Sequence, residues 1–235
     1  MRDVQAGSIL EWFVELEQRL IGVLGYVPFS EKTKDVSIPR ISSIILEAGS
    51  LVDTIFRETI VTEKTPDRLS MRDFAPYFEE KYHLSALRSI AFIWPPAYIV
   101  PFEPWSNAEA DDRAALTWWK TYTDMKHSRV RALDESTIGK GIESMAALHQ
   151  VMSQTPHFWR PLLRREMLTS ASLHVVNFVR NLEQDKAWDH SVTVESALFC
   201  TTLGATRFPE RIGDLRGSSV VSLGGRRLQR FLGAD

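Results

Sequence analysis

Apolar residues recur at helical spacing along the first two thirds of the chain. Between Ile9 and Val23 they fall three and four residues apart, with charged residues on the opposite side. Gly25 ends this predicted helix. Pro39 starts a second helix, whose apolar residues surround nearly the whole circumference as far as Phe56. A helix that is apolar all round is typical of the centre of a helical bundle.

The same periodicity, with capping residues and acidic first turns, predicts further helices. Ser70 and Asp73 resemble a cap with an acidic first turn, and Asn107 precedes three acidic residues. Asp134 or Ser136 caps the helix after that. The predicted elements are a helix from Ser70 to Tyr82, a short element from Leu84 to Phe92, and helices over 107–129, 134–152 and 162–182.

The pattern changes after about Lys186. Residues 191–199 alternate apolar and polar side chains with strand periodicity, and residues 218–223 could pair with them. The segment from 207 to 235 holds six arginines and three acidic residues. We therefore predict a mainly α protein: a helical bundle over residues 1–185 and a small C-terminal appendage over 186–235, either a β-hairpin with a basic tail or irregular.

Four prolines alternate with aromatic residues between Trp94 and Trp105. Proline this dense is incompatible with a helix interior or a central strand, so we predict an extended loop that covers one end of the bundle. The alternative is a stacking platform for nucleic-acid bases, formed by Trp94, Tyr98, Phe102 and Trp105. A platform needs aromatic faces that are left exposed.

Composition narrows the range of functions. The chain has 235 residues, a net charge of −2 and pI ≈ 6.3, so no global basic field attracts nucleic acid and any anion site must be a local patch. Cys200 is the one cysteine, which excludes an internal disulfide. The longest uncharged stretch, 89–102, is too short and too rich in proline to span a membrane. We expect a cytoplasmic protein without membrane contact.

Motifs for cofactors are missing from the sequence. It has no glycine-rich phosphate loop, no dinucleotide-binding fingerprint and no pair of histidines at zinc-protease spacing. Glu80 and His83 form a single Glu-x-x-His turn, whereas a di-iron bundle needs two such turns. We therefore predict no cofactor and no metal.

Residues 118–129 concentrate functional groups at one helix end. Lys120, Asp124 and His127 follow at i, i+4 and i+7 and share one stripe of the helix. Tyr122 and Arg129 lie on the neighbouring stripe. Asp124 can orient His127, or it can simply pair with Lys120.

These residue types fit metal-free cleavage of RNA. An imidazole such as His127 can move a proton near neutral pH, and Lys126 and Arg129 can hold a phosphate and stabilise its transition state. A base of this kind would activate a ribose 2′-hydroxyl against the adjacent phosphate. The alternative is structural: cations at a helix C-terminus satisfy its carbonyls, and a buried Glu47 would need Lys126 or Arg129 as a partner. Asp53 is expected to pair with Arg57.

The string Trp-Trp-Lys-x-Tyr-x-Asp-x-Lys-His-x-Arg over 118–129 resembles the Tyr-Asn-x-x-Lys-His-x-Arg signature of bacterial HEPN-like proteins. The resemblance, with its order of helices, covers about residues 6–153. It implies a helical bundle that is often dimeric, with many members acting as ribonucleases in toxin–antitoxin or other defence systems. It also implies His127 as the catalytic candidate, Lys126 and Arg129 as phosphate contacts, and Tyr122 and Asp124 as supporting residues.

The chain departs from the active form of that family in two ways. The active form has an arginine four to six residues before the histidine, whereas here Lys120 precedes His127 with six residues between them. Asp124 stands where asparagine is expected, and a carboxylate beside a phosphate site needs a cation as partner.

The leading hypothesis is therefore an RNA-binding protein, with RNase activity as its finer form and a homodimer as its expected assembly. An alternative is a non-catalytic helical module that binds an antitoxin or another protein and in which the Lys-His-x-Arg motif is structural. A third hypothesis places a small-molecule enzyme in a pocket between the bundle and the loop of prolines and aromatic residues.

Overall fold

The computed structural model describes most of the chain, with gaps. The described residues are 1, 3–60, 69–106, 116–169, 192–203, 207–217 and 226–233. The helices are α1 (Asp3–Tyr26), α2 (Pro39–Thr59), α3 (Met71–Tyr82), α4 (Thr117–Ser128), α5 (Ile138–Gln154), α6 (Trp159–Arg164) and α7 (Arg226–Phe231). The strands are β1 (Ser89–Ala91), β2 (Ala97–Ile99), β3 (Leu168–Thr169), β4 (Val192–Glu195) and β5 (Phe199–Leu203).

Helices α1, α4 and α5 pack around α2, as the apolar circumference of α2 predicts. Two glycines allow the closest approaches. A Cβ atom on Gly49 would lie 2.5 Å from the ring of Tyr122, and one on Gly141 would lie 2.8 Å from Ile41 Cγ2. Since real side chains do not approach this closely, a Cβ atom at either position would force α2 or the facing side chain to shift.

The described strands form one antiparallel sheet in the order β2-β1-β5-β4-β3. Ser89 pairs with Thr201 across β1 and β5, and their hydroxyl oxygens lie 2.6 Å apart. One face of the sheet packs on α5. The opposite face carries a second small core, in which Ile90 and Cys200 pack against Phe208, Leu215, Leu228 and Leu232.

The predicted fold class is wrong, because it did not include this sheet. The chain is a mixed α/β protein with a five-stranded antiparallel sheet, not a mainly α bundle with a C-terminal appendage. Strands β1 and β2 come from the middle of the sequence, and β5 inserts between β1 and β4. The prolines near residues 95–101 concealed two strands of three residues each, which are too short to produce a recognisable alternation.

Several predicted elements can be compared with the structure. The helix ending at Tyr82 is confirmed, with a capping box between Ser70 and Asp73. The predicted helix over 162–182 is wrong at its start, because α6 ends at Arg164 and β3 follows. The alternating segment near 191–199 does form strand β4 and the start of β5. The predicted cap at residue 107 and the strand over 218–223 lie outside the described residues.

The segment of prolines and aromatic residues divides into two parts. Phe102 and Trp105 are buried against Phe56 of α2, with ring centroids 6.3 Å and 6.1 Å away, so they cover the bundle as expected. Trp94, in contrast, is 79% exposed. A continuous stacking platform over these aromatic residues is therefore excluded.

A buried carboxylate joins α1 to the turn between β4 and β5. Glu17 is only 2% exposed, and it accepts hydrogen bonds from the backbone N–H groups of Ala197 (3.0 Å) and Leu198 (2.9 Å) and from the hydroxyl of Ser196. Burial raises its pKa, while these donors and the charge of Arg227 lower it. The contact fixes the sheet to the first helix of the bundle.

A row of polar side chains joins α5 to the sheet. His149 Nδ1 lies 2.9 Å from Thr201 Oγ1, and Gln150 Nε2 donates to Ser89 Oγ at 3.0 Å. All of these side chains are buried.

None of the helices described above combines the length and the apolar character needed to cross a lipid bilayer.

Candidate functional site

The motif predicted from the sequence lies at the C-terminal end of α4. The helix is held in place by its buried face, which includes Trp118, Tyr122 and Met125. The indole Nε1 of Trp118 donates to the carbonyl oxygen of Pro101 at 3.0 Å and anchors the start of the helix. The last turn carries Lys126 and His127, and the positive charge of Lys126 is favourable near the helix C-terminus.

The cations of this motif face solvent. Lys126, His127, Arg129 and Arg131 are all exposed. Within the described part of the chain, His127, Arg129 and Arg131 have no ion-pair partner. Together these four residues, Lys126, Arg129 and Arg131 with His127 among them, form a basic surface, which we call the α4 end.

Lys126 is positioned by the helix it belongs to. Its ammonium Nζ lies 5.1 Å from the centroid of the Tyr122 ring, a cation–π contact. Burial raises the pKa of the Tyr122 phenol and nearby Asp53 raises it further, whereas Lys126 and Ser50 lower it. Ser50 and Asp53 belong to α2, so α2 supports the site through Tyr122.

Asp124 pairs with Lys120. Their atoms Oδ2 and Nζ are 2.6 Å apart, one helical turn along α4. Of the two roles considered for Asp124, the structure therefore contains the pair with Lys120. This pair neutralises the carboxylate beside the α4 end.

Glu47 does not reach the α4 cations. It binds Arg19 of α1 with both carboxylate oxygens, at 3.0 Å and 2.6 Å, and it is exposed. The proposed structural link from Glu47 to Lys126 or Arg129 is thus not formed. The expected pair between Asp53 and Arg57 is confirmed at 3.0 Å.

The α4 end is not part of a described cavity. One cavity of about 520 Å³ lies between the start of α4, the start of α5 and residues 98–104. A second, of about 580 Å³, separates α1 from α6, and a third, of about 220 Å³, adjoins Trp12 and Glu47. Neither His127 nor Arg129 lines any of these three cavities.

The structure adds two groups that the sequence did not single out. Glu143, partly buried in α5, accepts a hydrogen bond from Thr117 Oγ1 at 3.1 Å, and burial raises its pKa. Its charge in an otherwise apolar helical stretch was the available signal. Ser50 carries no such signal, because only the packing of α2 against α4 brings it to Tyr122.

The described residues hold no group of three or more histidine, cysteine, aspartate or glutamate side chains arranged to bind a metal ion.

Comparisons with protein-family models, with curated proteins and with solved structures found no match.

Proposed function

We propose that this protein binds RNA through the α4 end, as a cytoplasmic HEPN-like protein of a toxin or other defence system. The supporting observation is that three cationic residues and His127 lie within six positions and face solvent together, and that His127, Arg129 and Arg131 have no ion-pair partner among the described residues.

Phosphate binding follows from the chemistry of these side chains. Guanidinium groups such as those of Arg129 and Arg131 form paired, charge-assisted hydrogen bonds to phosphate oxygens. Because the chain as a whole has a net charge of −2, attraction to a polyanion must come from this local surface. The pair between Lys120 and Asp124 keeps the nearest carboxylate on this helix from repelling the strand.

Metal-independent cleavage is the finer form of the proposal. His127 would accept the proton of a ribose 2′-hydroxyl while the 2′-oxygen forms a bond to the adjacent phosphorus. The bond from phosphorus to the 5′-oxygen breaks, that oxygen takes a proton from water, and the hydroxide left behind takes the proton from His127. Arg129 and Lys126 would stabilise the extra negative charge of the transition state. A second copy of the chain would add its own α4 end to the RNA-binding surface in a homodimer.

One observation favours a second candidate, a protein-interaction module. Val130 is 81% exposed between the arginines of the α4 end. A large exposed apolar residue ringed by cations also suits an acidic protein partner such as an antitoxin.

The test measures binding of fluorescent single-stranded RNA of mixed sequence by anisotropy over a range of salt concentrations. The double variant Arg129→Ala/Arg131→Ala is compared with Lys32→Ala/Arg40→Ala, which removes two exposed cations elsewhere. We expect the first variant to bind at least about tenfold more weakly, with a salt slope reduced by about 0.7 for each lost phosphate contact, the value for single strands. The second should match the wild type.

Equal losses in the two variants, or no saturable RNA binding by the wild type, would refute RNA binding by the α4 end. Cleavage is tested separately, in the presence of EDTA, with His127→Asn. That variant should retain RNA affinity and lose cleavage. If it cleaves at the wild-type rate, His127 is not the proton acceptor, and the binding proposal is judged on the anisotropy alone.

A further inference from the structure

The cavity at the other end of α4 has the features of a small-molecule site. It lies between residues 98–104, the first residues of α4 and α5, and residues 29–35; we call it the α4–α5 cavity. Its volume of about 520 Å³ is within the range of about 300–1,000 Å³ typical of ligand pockets. It is separate from the α4 end, so ligand binding there is independent of the proposed function.

The walls of this cavity are fixed before any ligand binds. Trp118 Nε1 holds Pro101 through a hydrogen bond of 3.0 Å. The backbone N–H groups of Ile138 and Gly139 donate to the carbonyl oxygens of Val36 (3.0 Å) and Lys34 (2.8 Å). A ligand would therefore meet a preformed surface, and little binding energy would be lost in ordering it.

Apolar side chains form much of this surface. They include two flat groups that are accessible to a planar body, Phe29 and Pro104, whereas Trp118 and Pro101 are buried. A flat apolar ligand would bury a face against Phe29 and Pro104.

Three carboxyl groups supply the charge of the cavity. Asp35 and Glu103 are exposed, and Glu143 is partly buried. The hydrogen bond that Glu143 accepts from Thr117 and the positive charge of Lys140 together offset only part of the cost of its burial, so the balance raises the pKa of the Glu143 carboxyl. A positively charged donor placed beside Glu143 would offset the rest.

The positive groups of the cavity are already engaged. Lys34 pairs with Glu31 at 2.7 Å and Lys140 with Glu135, and neither glutamate lines the cavity. The first N–H groups of α5 are satisfied by residues 34–36 and by Thr137. An anion would thus find few available donors from α5, whereas a cation would find three carboxyl groups.

We propose that the α4–α5 cavity binds a small organic cation: an amidine, guanidine or primary amine attached to a flat apolar body, with its N–H groups directed at Glu143.

The experiment uses the full chain and three probes of nearly one shape: benzamidine (cationic), benzamide (neutral) and benzoate (anionic). Binding is followed by NMR through the amide signals of Thr117 and Gly139, which line the cavity. Benzamidine should bind saturably and shift these signals, and benzamide and benzoate should bind at least about tenfold more weakly.

Glu143→Gln is the decisive variant, because its side-chain oxygen can still accept the hydrogen bond from Thr117 while its charge is lost. We expect it to stay folded and to bind benzamidine at least about tenfold more weakly. Glu15→Gln, an exposed change on α1, should bind like the wild type.

Three results would overturn the proposal. Tighter binding of benzoate would make the cavity an anion site at the start of α4. Unchanged benzamidine affinity in Glu143→Gln would remove the charge argument. If no probe binds at millimolar concentration while Glu143→Gln loses thermal stability, Glu143 serves only to hold α4 to α5.

Discussion

Two histidines on neighbouring helices of the bundle show how position decides what the same side chain can do. His127 is exposed at the C-terminal end of α4, beside arginines. His149 is fully buried between α5 and the sheet, where its ring lies 5.7 Å from the ring of Phe13 and 5.8 Å from that of Phe199. Burial lowers the pKa of His149 to about 3.

The difference separates the polar residues of this protein into two groups. Interior ones, such as His149 and Glu17, have fixed partners and stabilise the union of sheet and bundle. Those of the α4 end face solvent and are available to a ligand. Changes in the interior should therefore alter stability, and changes at the α4 end should alter binding.

The largest effect on stability is expected for Glu17→Ala. The change removes the acceptor of two backbone N–H groups and of the Ser196 hydroxyl, all at a buried site. Leaving such donors unpaired should lower the free energy of unfolding by about 3–5 kcal/mol, measured by urea denaturation. Glu15→Ala, on the exposed side of α1, should change it by less than about 0.5 kcal/mol. Similar losses in both variants would contradict the structural role given to Glu17.

Gly49→Ala should have the next largest effect on stability. It should also weaken binding at the α4 end, so it affects both groups of residues. The new Cβ would lie 2.5 Å from the Tyr122 ring, so α2 and α4 must move apart. Overpacking of this kind costs about 1–3 kcal/mol, and we expect the upper end of that range. Because Lys126 rests on Tyr122, the α4 end should also bind RNA more weakly.

Gly22→Ala is the matched control in α1, since nothing lies within 4 Å of its new Cβ. It should be neutral or stabilising by up to about 1 kcal/mol. If Gly49→Ala is equally well tolerated, the close contact between α2 and α4 is not as described.

The smallest expected effect is the change in the free energy of unfolding with pH. In the unfolded chain His149 becomes protonated below about pH 6.5. In the folded chain the His149 ring stays neutral down to about pH 3. Stability is therefore lost as the pH falls, by about 2 kcal/mol from this residue between pH 7 and pH 5. Glu17 and Glu143, with raised pKa values, act in the opposite sense.

The contribution of His149 is isolated by comparing His149→Asn with His127→Asn in denaturation experiments at both pH values. The first variant should lose much of the dependence on pH between 5 and 7, and the second should retain it. An unchanged dependence in His149→Asn would show that the buried ring is not the responsible group.

The parts that the sequence predicted depend on local patterns. They are the apolar spacing of α1 and α2, the capping box at Ser70 and the pair Asp53–Arg57. Each of these features involves residues that are only a few positions apart in the sequence. The exposed position of the α4 cations also agrees with their place at a helix end, although their function stays a prediction.

The parts that it missed depend on partners distant in sequence. Strand β1 has three residues, and its neighbour β5 is more than a hundred residues away. Glu17 belongs to the same helix as the exposed Glu15, and only the arrival of the turn at residues 196–198 makes it an interior residue. The charge on Glu143 was visible, but its cavity required the packing of α4 against α5.

The pairing of Ser89 with Thr201, 112 residues apart, has a consequence for the nascent chain. At a synthesis rate of about 5–20 residues per second, the ribosome adds β5 on the order of ten seconds after β1. During that interval His149 and Gln154, once made, lack the strand β5 to which they bond, and one edge of β1 is open to other chains. A chaperone that shields this edge should raise the yield of native protein, and ribosomes stalled just before residue 199 should carry the most aggregation-prone intermediate.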